Sequence, residues 1–297
     1  MSSSFRDARW GPLFACTLAY GIAFVVAIIS LDYWPNWHPI WRTLAGDILA
    51  TLVIFAFGIV FRNSSLYDPY WSVQPIVIAF YWMAIPVAAD VNMTRAMIAA
   101  ILVTLWGARL TYNCFRRWTD LTHEDFRYQD FRTRFGRNYW LVDLFGIELM
   151  PTVMVFIACL PLFPVAAVSD TPLNWLDGLA IIVTLGAIII ETVADENLQK
   201  HLQSNPPKEA VCKVGLWQYS RHPNYFGEIM FWWGLFLFAV AADPAWWWTG
   251  VGALSVTILF VFASIPMMET RKRLKRPTYD EQVEGISVLI PLPPKNT

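Results

Sequence analysis

Eight apolar runs, at 11–31, 43–61, 72–89, 94–115, 141–165, 173–192, 225–242 and 245–267, leave little of this chain from which any other kind of fold could be built. Each approaches the roughly 20 residues that a helix needs to cross the hydrocarbon core of a bilayer. In lipid the backbone has to satisfy its own hydrogen bonds, and a helix does so within one segment. The expectation is an all-α polytopic membrane protein, a bundle of seven or eight transmembrane helices. Composition agrees: 15% of the residues are charged, against roughly 25% in soluble domains. The first run is longer than a signal-peptide core and lacks a small-residue cleavage pattern after it, so no signal peptide is expected. No internal repeat or long linker breaks the chain, and residues 1–297 read as one integral-membrane domain.

Cations set the expected orientation, because Lys and Arg in short loops favour the cytoplasmic side. With eight crossings, only Arg42 and Arg95 fall on the far side, and Arg109 lies inside the fourth run. The rest, from Arg6 and Arg9 to Lys295, share the side that holds both termini. Both termini, the loop after the fourth run and the loop after the sixth are therefore expected in the cytoplasm. The membrane would be the plasma membrane in a bacterium and the endoplasmic reticulum in a eukaryote. Cys16, Cys114, Cys159 and Cys212 form no CxxC pair and the four histidines are scattered. Neither a disulfide nor a metal site is expected, and no nucleic-acid partner is expected either.

Polar residues gather at the cytoplasmic ends of the runs, where intramembrane ionisable groups mark a binding or catalytic site by default. The densest cluster is GLWQYSRHPNYFGE, with Arg221, His222, Asn224, Tyr225, Gly227 and Glu228 at the head of the seventh run. A helix cap with a snorkelling arginine is the plain alternative, but it does not call for the amide or the glutamate. In the fourth run Trp106, Arg109, Asn113 and either Arg116 or Arg117 recur at helical spacing, which puts them on one face. Glu191 and Asp195 share a face at the end of the sixth run, and Asn224 and Glu228 repeat that spacing. Two such faces beside a basic loop suit a headgroup with anionic and hydrogen-bonding parts, such as a nucleotide. Asp68 lies in SLYDPYWS among Tyr67, Tyr70 and Trp71, which read equally well as an interfacial aromatic belt. Glu148 in FGIELMP either lines a cavity or bonds a neighbouring helix.

Taken together, GLWQYSRHPNYFGE, SLYDPYWS, WGARLTYNCFRRW, ETVADENL and PMMETRKRLKRPTY resemble the steroid 5α-reductase family, over about residues 64–293. The resemblance implies a helical bundle whose NADPH enters from the cytoplasmic side, and reduction of a C=C bond conjugated to a ketone. It implies cofactor-binding roles for Asn224, Glu228, Gly227 and Asp195, with Glu269, Arg271 and Tyr279 as the comparable residues of the basic tail. Arg221, His222, Tyr225, Arg109, Asn113, Arg116 and Arg117 complete the expected cofactor-binding set. The tyrosine that the family carries upstream of the motif asparagine is replaced here by Glu209. For the group that holds and protonates the ketone, the candidates are Tyr67 and Asp68, then Tyr112 and Glu148.

The expected function is therefore an NADPH-dependent reductase acting on a lipophilic enone, steroid-like or isoprenoid, that enters from the bilayer. Membrane methyltransferases of the isoprenylcysteine and phospholipid type also carry an RHPxYxG signature and bind S-adenosylmethionine at a cytoplasmic helix end; they are the alternative class. A non-catalytic lipid-binding protein is the third.

Overall fold

A computed structural model describes residues 6–294. Among these residues the regular structure is helical, with no strand and a single bridge between Ser220 and Ser287. The principal helices are α1 (Gly11–Ser30), α2 (Pro39–Phe61), α3 (Tyr70–Ala84), α4 (Met93–Arg117), α5 (Phe126–Phe135), α6 (Met150–Cys159), α7 (Trp175–Gln203), α8 (Pro223–Ala242), α9 (Gly250–Leu259) and α10 (Ile265–Lys275). Lys295 lies outside the described residues.

Local sequence explains where these helices begin. Pro39 and Pro223 occupy the first turns of α2 and α8, where the missing N–H costs nothing. A capping box opens α7: Leu176 N–H donates to Asn174 Oδ1 at 3.0 Å and Asn174 N–H donates to Asp177 Oδ2 at 2.8 Å. At the end of α2 the chain turns through Arg62 in the left-handed conformation, φ 54°.

Seven of the helical segments among the described residues are long and apolar enough to cross a membrane. The expected third crossing is the exception. Helix α3 has 15 residues with Pro75 inside it, about 22 Å at 1.5 Å per residue, short of a ~30 Å core. It nevertheless joins the two ends of α4. Ahead of α3, Asn63 Nδ2 donates to the carbonyls of Leu121 and His123, in the turn that follows α4. Behind α3, Asn92 Oδ1 accepts from Arg95 N–H and caps the start of α4. The described ends of the chain meet the bundle where α4 ends and α8 begins: Leu121 N–H donates to the Arg6 carbonyl and Leu292 N–H to that of Tyr219.

Close helix contact in lipid relies on small residues, since the hydrocarbon itself gives no driving force for association. Along the seam between α7 and α8, a Cβ at Gly227 would lie 2.5 Å from Glu191 Cγ and 2.9 Å from the Ala187 carbonyl. At the non-cytoplasmic end of the expected topology, Arg95 is completely buried. Its Nε and Nη2 donate to the two carboxylate oxygens of Asp177 at 2.7 and 2.9 Å, and its Nη1 to the Thr171 carbonyl at 2.8 Å. A buried guanidinium is tolerable when its donors are taken up in this way, and here the pair pins α4 to α7. The Trp106 ring stacks on Phe231 at 4.5 Å, joining α4 to α8.

Candidate functional site

Helices α4, α7 and α8 bring their polar faces together at one end of the bundle. Arg109 donates to Glu191 through Nη2 and to Asp195 Oδ2 through Nη1 at 2.9 Å. Asn113 Nδ2 donates to the same Asp195 oxygen at 2.8 Å. Arg116 reaches Glu196 one turn nearer the helix end, at 2.6 Å. Glu228 is buried, and each of its oxygens accepts an indole N–H: Trp106 at 3.1 Å and Trp232 at 2.8 Å. A forked guanidinium can serve two carboxylates at once, which an ammonium cannot do with the same geometry.

Several polar atoms in this region are buried without a protein partner. They are Arg109 Nε, Arg116 Nε and Nη2, Glu191 Oε1 and Asn224 Oδ1. Buried donors and acceptors left open are costly, and here both kinds occur at neighbouring helix ends. The guanidinium nitrogens match phosphate oxygens, while Asn224 Oδ1 and Glu191 Oε1 match amide or hydroxyl donors. Residues of this kind fit a nucleotide cofactor. Arg117 is exposed at the end of α4.

Other members of the expected cofactor set are engaged elsewhere. Glu269 of α10 accepts from Tyr279 at 2.7 Å, faces His222 Nε2 at 2.9 Å and pairs with Arg221 at 3.2 Å. Arg221 also donates to the carbonyls of Val283 and Ile286. These four residues fasten the C-terminal segment to the loop before α8, and their polar atoms serve that contact. Burial holds His222 below its ordinary pKa, with Lys272 acting in the same direction against the pull of Glu269. Tyr225 stacks on the His222 ring, with centroids 5.0 Å apart. Arg271 lies over the ring of Phe126 in α5. Gly227 faces α7, so the close approach it permits is that of Glu191, where the sequence suggested a nucleotide.

The catalytic candidates separate as well. Tyr112 is 63% exposed, with Arg116 over its ring. It lies about 100° around α4 from the buried Asn113, off the face that carries Arg109 and Asn113, whereas the sequence reading set it at the substrate. Tyr67 is buried with its hydroxyl 2.9 Å from that of Thr152. Asp68 accepts from Tyr128, and burial pushes its carboxyl up to about 6 despite that bond and the nearby Arg127. Glu148 sits in a π-helical turn, Asp143–Leu149, fully buried with both oxygens lacking a protein partner. π-turns of this kind often mark functional positions.

A further polar group escaped the sequence reading. Asp47 in α2 accepts from Tyr70 at 2.6 Å and from Gln74 Nε2, while Thr51 and Thr152 bond each other at 2.9 Å alongside. The signal was present: an aspartate inside an apolar run is an intramembrane ionisable residue. Among the described residues, no group of three or more His, Cys, Asp or Glu is arranged to hold a metal ion.

Comparison with known proteins places the chain in a wider group. The model of a family described as a protein of unknown function, DUF1295, matches residues 54–284. An uncharacterized protein of Schizosaccharomyces pombe is 24% identical over an alignment of 242 residues that covers 73% of this chain and 70% of that protein. No solved structure matches the chain.

Proposed function

The chain belongs to the DUF1295 family, and on that premise we propose that it is a membrane-embedded reductase of the steroid 5α-reductase type. In this reading NADPH is the cofactor, a lipophilic enone is the substrate, and both termini face the cytoplasm. One observation carries the reading: the buried donors and acceptors left open around Arg109, Arg116, Glu191 and Asn224. Arg116 and Arg109 would meet the phosphates, and Asn224 would accept from an amide such as a carboxamide. Glu228, held by Trp106 and Trp232, fixes the wall behind them.

NADPH, when bound, supplies a hydride for the β-carbon of the enone. The chain's own part is to exclude water, orient the substrate and provide the balancing proton. Glu148 is the group free to hold a carbonyl oxygen through a proton, because no protein atom occupies either of its oxygens. Tyr67, bonded to Thr152, is the nearby hydroxyl that would orient it.

A second reading has its own observation. Glu191, Asp195 and Glu228 are three carboxyls around one guanidinium, Arg109, a surplus that also suits a cationic ligand such as the S-adenosylmethionine of a methyltransferase. Thermal unfolding of the detergent-purified chain with NADPH, NADH or S-adenosylmethionine separates the two. A ligand at 100 times its Kd stabilises by about 2.7 kcal/mol. The reductase reading expects a shift with NADPH that disappears in Asn224→Ala while the protein stays folded. A shift with S-adenosylmethionine alone would move the chain to the methyltransferases, and no shift with any of the three would leave a non-catalytic lipid-binding role.

A further inference from the structure

The buried carboxyl of Glu148 lies at the inner end of a line of polar groups that the Arg109 cluster does not use. The helical turns Tyr139–Val142 and Asp143–Leu149 lead without a break into α6. Tyr139 and Asp143, four residues apart, share a face. In an α-helix Glu148, five residues further on, would stand about 140° around the axis from Asp143. The π-helical turn over Asp143–Leu149, whose hydrogen bonds join residues five apart, brings Glu148 back to the side of Asp143. Tyr139, Asp143 and Glu148 thus form one file, about 14 Å long at 1.5 Å per residue.

Hydrogen bonds carry this file outward. Asp143 Oδ1 accepts from the Tyr139 hydroxyl at 3.4 Å, and that hydroxyl bonds Ser64 Oγ at 2.8 Å. Ser64 N–H donates to Glu124 Oε1 at 2.9 Å, and the same oxygen accepts from Arg132 Nη2 at 2.9 Å. The Arg132 guanidinium lies over the Tyr139 ring at 4.2 Å, and its side chain is 45% exposed, so the outer end of the file meets solvent. The inner end is dry. Glu148 is fully buried and both its oxygens lack a protein partner. A buried carboxylate without a partner is costly, so Glu148 is held as the neutral acid. Asp143 is the first charged group to act on it, with Asp68 behind. Gly58 leaves the space beside it clear: a Cβ there would lie 3.7 Å from Glu148 Oε1 and 4.0 Å from Ser64 Cα. With no bond to break, the carboxyl is free to turn within that space.

We propose that Glu148 stores a proton inside the bundle, and that Asp143, with Tyr139 and Ser64 outside it, restores that proton from solvent each time Glu148 gives it up. Every station hands one proton inward and takes one from its outer neighbour, the last proton comes from water, and nothing is oxidised or reduced. Asp143 and Tyr139 act through Glu148 and touch no substrate. The use of the proton, to balance a hydride delivered to an enone, rests on the reductase reading; the path itself does not.

The test follows the infrared carbonyl band of the protonated carboxyl in the detergent-purified full chain, at neutral pH and without nucleotide or enone, as water is exchanged for heavy water. A band that Glu148→Gln removes belongs to Glu148. Asp143→Asn and Tyr139→Phe are expected to keep this band and to slow its deuterium shift about tenfold, the rate equivalent of one hydrogen bond. Tyr128→Phe, on the Asp68 side, is expected to leave the rate unchanged. A role confined to packing would not slow the exchange while sparing the band. Should Asp143→Asn fail to fold, Tyr139→Phe, which keeps the ring under Arg132, decides. Absence of the Glu148 band from the wild type, an unchanged rate in either folded variant, or equal slowing in Tyr128→Phe would each overturn the path. Stabilisation by NADPH alongside any of these results leaves the reductase reading standing, and its absence with the path intact counts against that reading alone.

Discussion

Arg109 is the residue on which the polar end of the bundle turns. Removing it leaves Glu191 and Asp195 buried beside each other without their shared cation, and breaking such a group costs about 3–5 kcal/mol. Arg109→Ala should therefore lower the unfolding temperature in detergent far more than Arg117→Ala, whose side chain is exposed. Asp68 offers a pH test. Its folded pKa, about 6, lies above the ordinary 3.8, so folding favours the protonated form. That stabilisation is full below pH 3.8 and is lost as pH rises through about 6. The wild-type unfolding temperature, relative to that of Asp68→Asn, should fall over this interval. Much of the charged network is legible in sequence, because Arg109 with Asn113 and Glu191 with Asp195 are i,i+4 pairs that must share a helix face. The role of Arg221 and His222 is not, since their partner Glu269 and the tail carbonyls arrive from a distant segment. Asp47 and Gln74 each stand alone within an apolar run, and their mutual contact exists only once α2 and α3 pack.

At the scale of elements, the seam between α7 and α8 shows how packing and site depend on each other. A methyl group at Gly227 would strike Glu191 Cγ and the Ala187 carbonyl, and the carbonyl cannot rotate away. Gly227→Ala should destabilise by about 1–3 kcal/mol, as overpacking of a close contact does, and it should also weaken the Arg109 pairing by moving Glu191. Combining it with Arg109→Ala should cost less than the sum of the two alone, a coupling that a double-mutant cycle measures. The long helices are legible from hydropathy and length. Helix α3 is less so, because it stops at Ala84, ahead of Pro86, while hydropathy alone carries the run on to residue 89. The π-turns at Asp143–Leu149, Pro164–Val168 and Phe260–Ser264 leave no mark in apolar periodicity.

For the whole molecule, the short α3 decides the parity of the fold. Counted as a crossing, it puts both described ends of the chain at the same end of the bundle, consistent with the Leu121–Arg6 and Leu292–Tyr219 contacts. Arg62→Cys and Asp90→Cys, at exposed positions on either side of α3, should then label from opposite sides of the membrane, Arg62→Cys from the cytoplasm. Labelling of both from one side would contradict the eight-crossing arrangement. The native cysteines are buried or half-buried and give a low background.

The two arginines of α4 have a joint geometric consequence. Fourteen positions separate Arg95 from Arg109, and fourteen separate their partners Asp177 and Glu191 on α7. Two fasteners at equal intervals along parallel rods, about 21 Å apart, fix the stagger as well as the distance between the rods. A residue inserted in only one helix between its two fastening points would leave both pairs unable to close together. Sliding of one rod past the other is ruled out in the same way.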